Sequence, residues 1–280
     1  MSYQSILVHV DSSPDCTNRV ELAALLAQRF NAHLTGLLMS WLPSFEVNMA
    51  EVPFYDVTVA EREYAEKCAN RAKETFDKVV QAFGIDQFEW RQQIIGRSIE
   101  VLCLNARYHD LVVLGQHNPE RSIDNLPKDF VPRVILGAGR PVLVVPYTGR
   151  FADVGQRALV GWDAGREAAR ALTDALPLLK RAQRTMLQTF NSHQILSKQG
   201  ELPGGDIALY LARHDVLVEL LGNIENVSDV GSQLLSTAMN VDADLMVMGA
   251  YGHSRLIELA LGGATKTILE SMTVPVLMAH

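Results

Sequence analysis

The sequence predicts an α/β protein of two tandem Rossmann-like domains, each a five-stranded parallel sheet in the order 3-2-1-4-5 with helices on both faces. Short apolar runs alternate with helical segments of ten or more residues, which implies right-handed βαβ crossovers. Several segments of the first half recur in the second half. The chain has 280 residues, enough for two domains that each bury a core.

The repeat is visible in three pairs of segments. Residues 6–11 match 158–163, residues 111–115 match 245–249, and residues 140–146 match 274–278. The two segments of the first pair are about eighteen residues further apart in the chain than the segments of the other two pairs. We assign these extra residues of the first half to positions 41–62. We therefore predict a first domain over residues 1–148 and a second over residues 156–280, joined by a short linker.

The elements follow from apolar runs and helical spacing taken in chain order. Strands of the first half are expected at 4–10, 33–39, 87–95, 110–115 and 141–146. Its helices are expected at 14–30, 60–83, 98–108 and 125–138. Strands of the second half are expected at 157–162, 184–190, 215–222, 244–249 and 274–279. Its helices are expected at 165–181, 203–213, 229–240 and 264–272.

Four glycines of the second half flank a strand end and a helix start. Gly249 and Gly252 follow the buried apolar strand, and Gly262 and Gly263 precede a helix. Backbone N–H groups at a helix N-terminus bind anions, and a phosphate approaches them where no Cβ intervenes. The pattern is consistent with a phosphate-binding loop. It is also consistent with glycines that only form turns and caps.

Asp163 ends the first strand of the second half. In a 3-2-1-4-5 order, the first and fourth strands flank the point where strand order reverses, so Asp163 is expected to face Gly249. Its carboxylate could accept a hydrogen bond from a ribose hydroxyl or an adenine amino group, with Trp162 and Phe190 as apolar walls. Alternatively, Asp163 caps the helix that follows.

The glycine spacing resembles the nucleotide loop of the universal stress protein family: Gly-x-x-Gly, nine residues, Gly, then a small residue. The first strand, with its aspartate and following helix, is similar as well, and the resemblance covers both halves. A tandem universal stress protein is therefore expected. The family pattern places a hydroxyl residue where this chain has Gly263, although Thr265 matches a hydroxyl position one turn further on.

This resemblance implies a stress-response module that binds ATP or a related adenine nucleotide in the second half, with Mg²⁺ possible alongside it. His253 and Arg255 lie beside the expected phosphates. The residues expected to bind the nucleotide are Trp162, Asp163, Phe190, Met248, Gly249, Gly252, His253, Arg255, Gly262, Gly263, Ala264 and Thr265.

The first half departs from this loop pattern. After Gly115, the position of the second glycine holds Asn118, and Pro119 removes an N–H that a phosphate would use. Asp11 persists, but alone it fits a cap or turn residue. We interpret the first half as a degenerate, structural copy that binds no nucleotide.

Composition excludes several classes of protein. The net charge is −7 without a basic block, which argues against nucleic-acid binding. No apolar run approaches eighteen residues, so no membrane span is predicted, and the start is too short for a signal peptide. The three cysteines, Cys16, Cys68 and Cys103, are scattered, which favours a reduced, cytoplasmic environment.

No catalytic or metal-binding motif is evident, so neither catalytic nor metal-ligating residues are predicted. Slow ATP hydrolysis and a ligand-free interaction scaffold are the two alternatives to nucleotide-dependent regulation. The final strands, 141–145 and 274–278, are expected to pair as sheet edges and give the two halves pseudo-two-fold symmetry. Other surfaces are then available for a homodimer and for client proteins.

Overall fold

The computed structural model describes residues 2–40, 54–94, 98–120, 126–190, 204–224, 229–252 and 263–280. Side-chain surroundings are described for all of these except residues 40, 54–62, 94 and 98. Among the described residues, the predicted alternation of strands and helices is confirmed in both halves.

The first half contains five strands and four described helices. In chain order they are β1 (Ser5–Val10), α1 (Cys16–Phe30), β2 (His33–Ser40), α2 (Phe54–Phe83), β3 (Phe88–Ile94), α3 (Ser98–Ala106), β4 (Leu111–Gly115), α4 (Phe130–Ala138) and β5 (Val142–Val145). Helix α2 begins at Phe54, whereas the sequence predicts a start at residue 60. The expected insertion is therefore helical over residues 54–62, and its residues 41–53 lie outside the described part of the chain.

The second half repeats this order. Its elements are β6 (Arg157–Trp162), α5 (Arg166–Leu179), β7 (Arg184–Phe190), α6 (Gly205–Arg213), β8 (Val218–Ile224), α7 (Val230–Asn240), β9 (Leu245–Gly249), α8 (Ala264–Ser271) and β10 (Val276–Ala279). Residues 253–261, which lie between the two glycine pairs, are outside the described residues.

All ten strands form one sheet, in the order β3-β2-β1-β4-β5-β10-β9-β6-β7-β8. Each half has the predicted order 3-2-1-4-5 and is parallel throughout. The two halves join through an antiparallel pair, β5 with β10, in which Leu277 lies opposite Leu143. The expectation that the final strands contact each other is confirmed, and this contact hides one edge of each sheet.

The antiparallel junction reverses strand direction between the halves. The carboxyl ends of β1 to β5 therefore lie at one edge of the sheet, and those of β6 to β10 lie at the opposite edge. Because ligands of parallel α/β sheets bind beyond the carboxyl ends of strands, the candidate sites of the two halves face opposite ways.

Two core layers, one on each face of the sheet, run through both halves. The strands read as continuous apolar runs because helices cover both of their faces. Further bonds cross between the halves: the Tyr3 hydroxyl donates to the Asp174 carbonyl at 2.7 Å, and the Arg181 side chain donates to the Arg29 carbonyl at 3.2 Å. The halves thus share both core layers. Within the described ranges, no helix has both the length and the apolar character needed to cross a bilayer.

Candidate functional site

The turn after β6 positions Asp163 at the carboxyl edge of the second half. One oxygen of its carboxylate, Oδ1, accepts a hydrogen bond from the Gly165 N–H at 2.8 Å. Ala164 between them has φ of 60°, a left-handed conformation that tightens the turn. The N-cap of α5 is Gly165, not Asp163. Asp163 thus supports the turn before the helix, and its second oxygen faces the loop that follows β9.

Gly249 and Gly252 both lie close to the start of α5, and Gly249 is required there by packing. A Cβ on Gly249 would lie 2.4 Å from the Ala168 backbone nitrogen, because the start of α5 crosses the end of β9 there. A Cβ on Gly252 would lie 3.0 Å from Oε2 of Glu167 and 4.0 Å from Oδ2 of Asp163. The end of β9, the loop that follows it and the start of α5 therefore lie in contact with one another.

Glu167 is a member of this site that the sequence analysis missed. It lies in the first turn of α5 and is only 8% exposed. Its Oε1 atom is 3.3 Å from Arg166, whose side chain is 94% exposed. An acidic residue in the first turn of a helix is ordinarily explained by the helix dipole, so its sequence position carries no sign of a site. With Asp163, it gives this edge of the second half negative charge.

Thr265 connects the glycine loop to helix α8. Its buried hydroxyl accepts a hydrogen bond from the Tyr251 N–H at 3.3 Å. Gly263 is the N-cap of α8, with φ of −56° and ψ of 168°, and Ala264 is the first residue of the helix. The first N–H groups of a helix have no intrahelical partner. The start of α8 therefore presents N–H donors beside the loop.

Helix α8 is seated closely on α7. A Cβ on Gly231 would lie 2.7 Å from Thr267 Cβ and 2.9 Å from the Ala264 carbonyl oxygen. Asp229 caps α7 by accepting from the Ser232 N–H at 3.1 Å. Hydrogen bonds, the strongest from Ser232, hold the pKa of Asp229 below its usual range. This contact fixes the start of α8 against the body of the second half.

The three expected apolar residues, Trp162, Phe190 and Met248, lie on two different faces of the sheet. Trp162 is partly buried against the core layer on one face of the sheet. Phe190 and Met248 are buried in the layer on the other face. The remaining expected residues, His253, Arg255 and Gly262, lie outside the described residues.

A cavity of about 90 Å³ lies at the corresponding edge of the first half. Its floor contains a buried ion pair, in which Nη2 of Arg19 donates to Oδ2 of Asp11 at 2.7 Å. Nε of Arg19 donates to the His9 carbonyl at 2.7 Å. A Cβ on Gly115 would lie 2.1 Å from Nη1 of Arg19. The guanidinium therefore fills the space against the glycine that ends β4.

The Arg19 pair determines the electrostatics of the first half. Burial would raise the pKa of Asp11, but the charge of Arg19 and the hydrogen bonds from Ser13 outweigh it and hold that pKa well below its usual range. Burial, reinforced by Arg19, lowers the pKa of His9 to about 4. Burial also raises the pKa of the Cys16 thiol to about 12, in keeping with an inert cysteine. The interpretation of Asp11 as a turn residue was incomplete, since it missed the Arg19 partner.

These features define a two-repeat, Rossmann-like α/β protein in which one half carries a glycine loop beside a helix N-terminus. The model of the universal stress protein family matches residues 219–280. The resemblance inferred from the sequence is confirmed, and the chain is built like a tandem universal stress protein.

Solved structures share the fold over almost the whole chain. A universal stress protein from Archaeoglobus fulgidus DSM 4304 matches with a TM-score of 0.69 and 14% identity, covering 98% of this chain and 95% of that one. A functionally unknown protein from Pseudomonas aeruginosa PAO1 matches with a TM-score of 0.56 and 16% identity, covering 99% of this chain and 92% of that one. No curated protein matches the sequence.

Proposed function

We propose that the second half binds ATP or a related adenine nucleotide and that the bound nucleotide regulates the shape or partners of a stress-response protein. The observation that carries this proposal is the Thr265 to Tyr251 hydrogen bond, because it joins the Gly249–Gly252 loop to the N-terminus of α8. A glycine loop held beside free N–H donors suits phosphate oxygens.

The nucleoside would lie towards the end of β6. Oδ1 of Asp163 is engaged with Gly165, so Oδ2 is the oxygen available to a ribose hydroxyl or an adenine amino group. Gly263, Ala264 and Thr265 provide the start of α8 for the phosphates. His253, Arg255 and Gly262 are retained in the proposed site on the sequence pattern alone.

The acidic side chains suggest why Mg²⁺ would accompany the nucleotide. Asp163 and Glu167 both face Gly252, and two carboxylates repel a bare triphosphate. Mg²⁺ prefers oxygen ligands and commonly bridges carboxylates and phosphates. We expect nucleotide affinity to depend strongly on Mg²⁺, with Glu167 contributing to that dependence.

The first half is proposed to be a structural copy without nucleotide. Arg19 fills the space against Gly115, and Pro119 has no N–H to donate. The domain division at residues 148 and 156, drawn from the internal repeat, the cytoplasmic location, drawn from the composition, and a homodimer are further proposals.

Isothermal titration calorimetry with ATP and Mg²⁺ tests the proposed function. The native chain should show one site, and Gly252→Val should abolish binding because a branched side chain occupies the space of the phosphates. Asn118→Val changes the corresponding position of the first half and serves as the matched control, which should bind as the native chain does. Two equivalent sites, or normal binding by Gly252→Val, would overturn the proposal.

A further inference from the structure

Helix α8 extends between the candidate sites of the two halves. It has eight residues, Ala264–Ser271, and is therefore about 12 Å long. Its N-terminus lies beside the glycine loop of the second half. Because the two halves run in opposite directions, its C-terminus lies near the edge where the first-half cavity opens.

Gln116 contacts the C-terminal end of this helix from the first half. Its Nε2 donates to the Leu269 carbonyl at 2.9 Å, and its Oε1 accepts from the Tyr147 N–H at 3.3 Å. The side chain is buried, with only 7% of the residue exposed. The Leu269 carbonyl is among the last four of the helix, which have no partner within the helix itself. Gln116 satisfies this acceptor from a different repeat.

The residue at the corresponding position of the second half cannot make the same contact. The Gln116 N–H donates to the Val145 carbonyl at 2.8 Å, and the Ala250 N–H donates to the Ala279 carbonyl at 2.9 Å. These matching backbone bonds identify Ala250 as the counterpart of Gln116. Alanine has no side-chain donor, so it cannot hold α4 as Gln116 holds α8. The bond is directed at the half that carries the glycine loop.

We propose that Gln116 is a positioning residue for nucleotide binding in the second half, acting through helix α8. It fixes the C-terminal end of the helix, while Thr265 fixes the other end to the loop at Tyr251. Gln116 and Tyr147 also border the first-half cavity. This inference rests on the proposed function, because the effect concerns the same nucleotide site.

Gln116→Leu tests the proposal by removing both hydrogen bonds at similar volume. Affinity for MgATP should fall by roughly three- to tenfold, the expected effect of a lost hydrogen bond. Adenosine has no phosphates and should bind Gln116→Leu as tightly as it binds the native chain. Gln116→Asn, which is one methylene shorter, should reproduce the loss if the leucine variant folds poorly.

Tyr3→Phe is the matched control. It also removes a bond from a first-half side chain to a second-half helix carbonyl, that of Asp174 in α5. This variant should lose similar stability but keep native affinity for MgATP. Equal MgATP affinity in the native, Gln116→Leu and Gln116→Asn proteins would overturn the proposal.

Hydrogen exchange in the nucleotide-free protein separates this inference from the proposed function. Amides of α8 should exchange faster in Gln116→Leu than in Tyr3→Phe. If the native chain binds no adenine nucleotide, the proposed function fails, and the role in nucleotide binding fails with it. Faster exchange in that case would still assign Gln116 to holding α8, whereas unchanged exchange would reject the contact as a restraint.

Discussion

Arg19 of the first half and Glu167 of the second half are both buried at the start of a helix, and they carry opposite charges. Each is buried in the first turn of the helix after the first strand of its half. Arg19 lies against Gly115, the last residue of β4, and Glu167 lies near Gly252, in the loop that follows β9. The arginine neutralises Asp11, whereas the glutamate adds a second carboxylate to Asp163. The buried charges of the first half are therefore balanced, whereas the edge of the second half is acidic.

Arg19→Met should leave the Asp11 carboxylate buried without its partner. Breaking a buried ion pair costs about 3–5 kcal/mol, so urea denaturation at neutral pH should show a loss of that order. Adding Asp11→Asn should recover part of the loss. Arg170→Met breaks a more exposed pair with Asp174 and should cost about 1 kcal/mol or less. Equal losses in the two single variants would contradict the assignment of a buried pair.

His9 should make the protein sensitive to mild acid. Its folded pKa of about 4 lies below the ordinary value of 6.5, so the unfolded chain takes up a proton first as pH falls. The stabilisation is complete above pH 6.5 and is lost as pH falls towards 4, by about 3 kcal/mol. His9→Gln should flatten this part of the curve. An imidazole that titrates near its ordinary value in an NMR experiment would show the prediction to be wrong.

Gly249→Ala should destabilise the fold whether or not nucleotide is present. Its Cβ would lie 2.4 Å from a backbone atom of α5, which cannot move without shifting the helix. Overpacking of this kind costs about 1–3 kcal/mol. Gly161→Ala is the control, because its Cβ would meet only the Leu234 side chain at 3.2 Å. Thermal unfolding should rank Gly249→Ala as clearly the less stable, and the reverse ranking would exclude the packing explanation.

The β5–β10 junction should hold the halves together after the chain is cut. With an engineered protease site at the exposed Gly149, the two fragments should still co-elute on a sizing column. Leu277→Asp places a charge in a fully buried position and should separate them. Val274→Asp, at a partly exposed position before β10, should not. Independent elution of the unsubstituted fragments would refute the junction as the main contact.

Gly263→Ser should improve triphosphate binding. The φ of −56° at this position is open to serine, and serine is a favourable N-cap residue. A hydrogen bond to a charged group contributes about 1.5–3 kcal/mol, so affinity should rise roughly tenfold or more. Gly263→Ala makes the same backbone change without the hydroxyl and should give no such gain. Equal affinities in the two variants would mean that the added hydroxyl does not reach a phosphate.

The strands were predictable because they depend on local patterns, and their order and edge pairing followed from the fold class that the alternation of strands and helices indicates. Apolar runs bounded by glycine identified the buried strands. The internal repeat supported these assignments, because the same pattern occurs in both halves. The start of α2 was not found, since residues 54–59 lack a clear helical apolar stripe. Trp162 and Phe190 lie on opposite faces of the sheet because of the strand register, which could not be derived from the sequence.

The contacts that shape the site depend on residues far apart in the chain. Gln116 and Leu269 are 153 positions apart, and nothing local to either one indicates the other. The pairing of Arg19 with Asp11 could have been suspected, because an arginine on the otherwise apolar face of α1 requires a buried partner. The sequence around Glu167 gives no comparable indication that its side chain is buried.

The antiparallel junction gives the molecule two unlike poles. If the proposed nucleotide binds, the pole that carries Asp163 and Gly252 changes its charge, while the pole around Arg19 keeps its own ion pair. A partner that docked at the first pole would then respond to the nucleotide supply, and one that docked at the second pole would not. Two identical subunits would instead present the same kind of site at both poles.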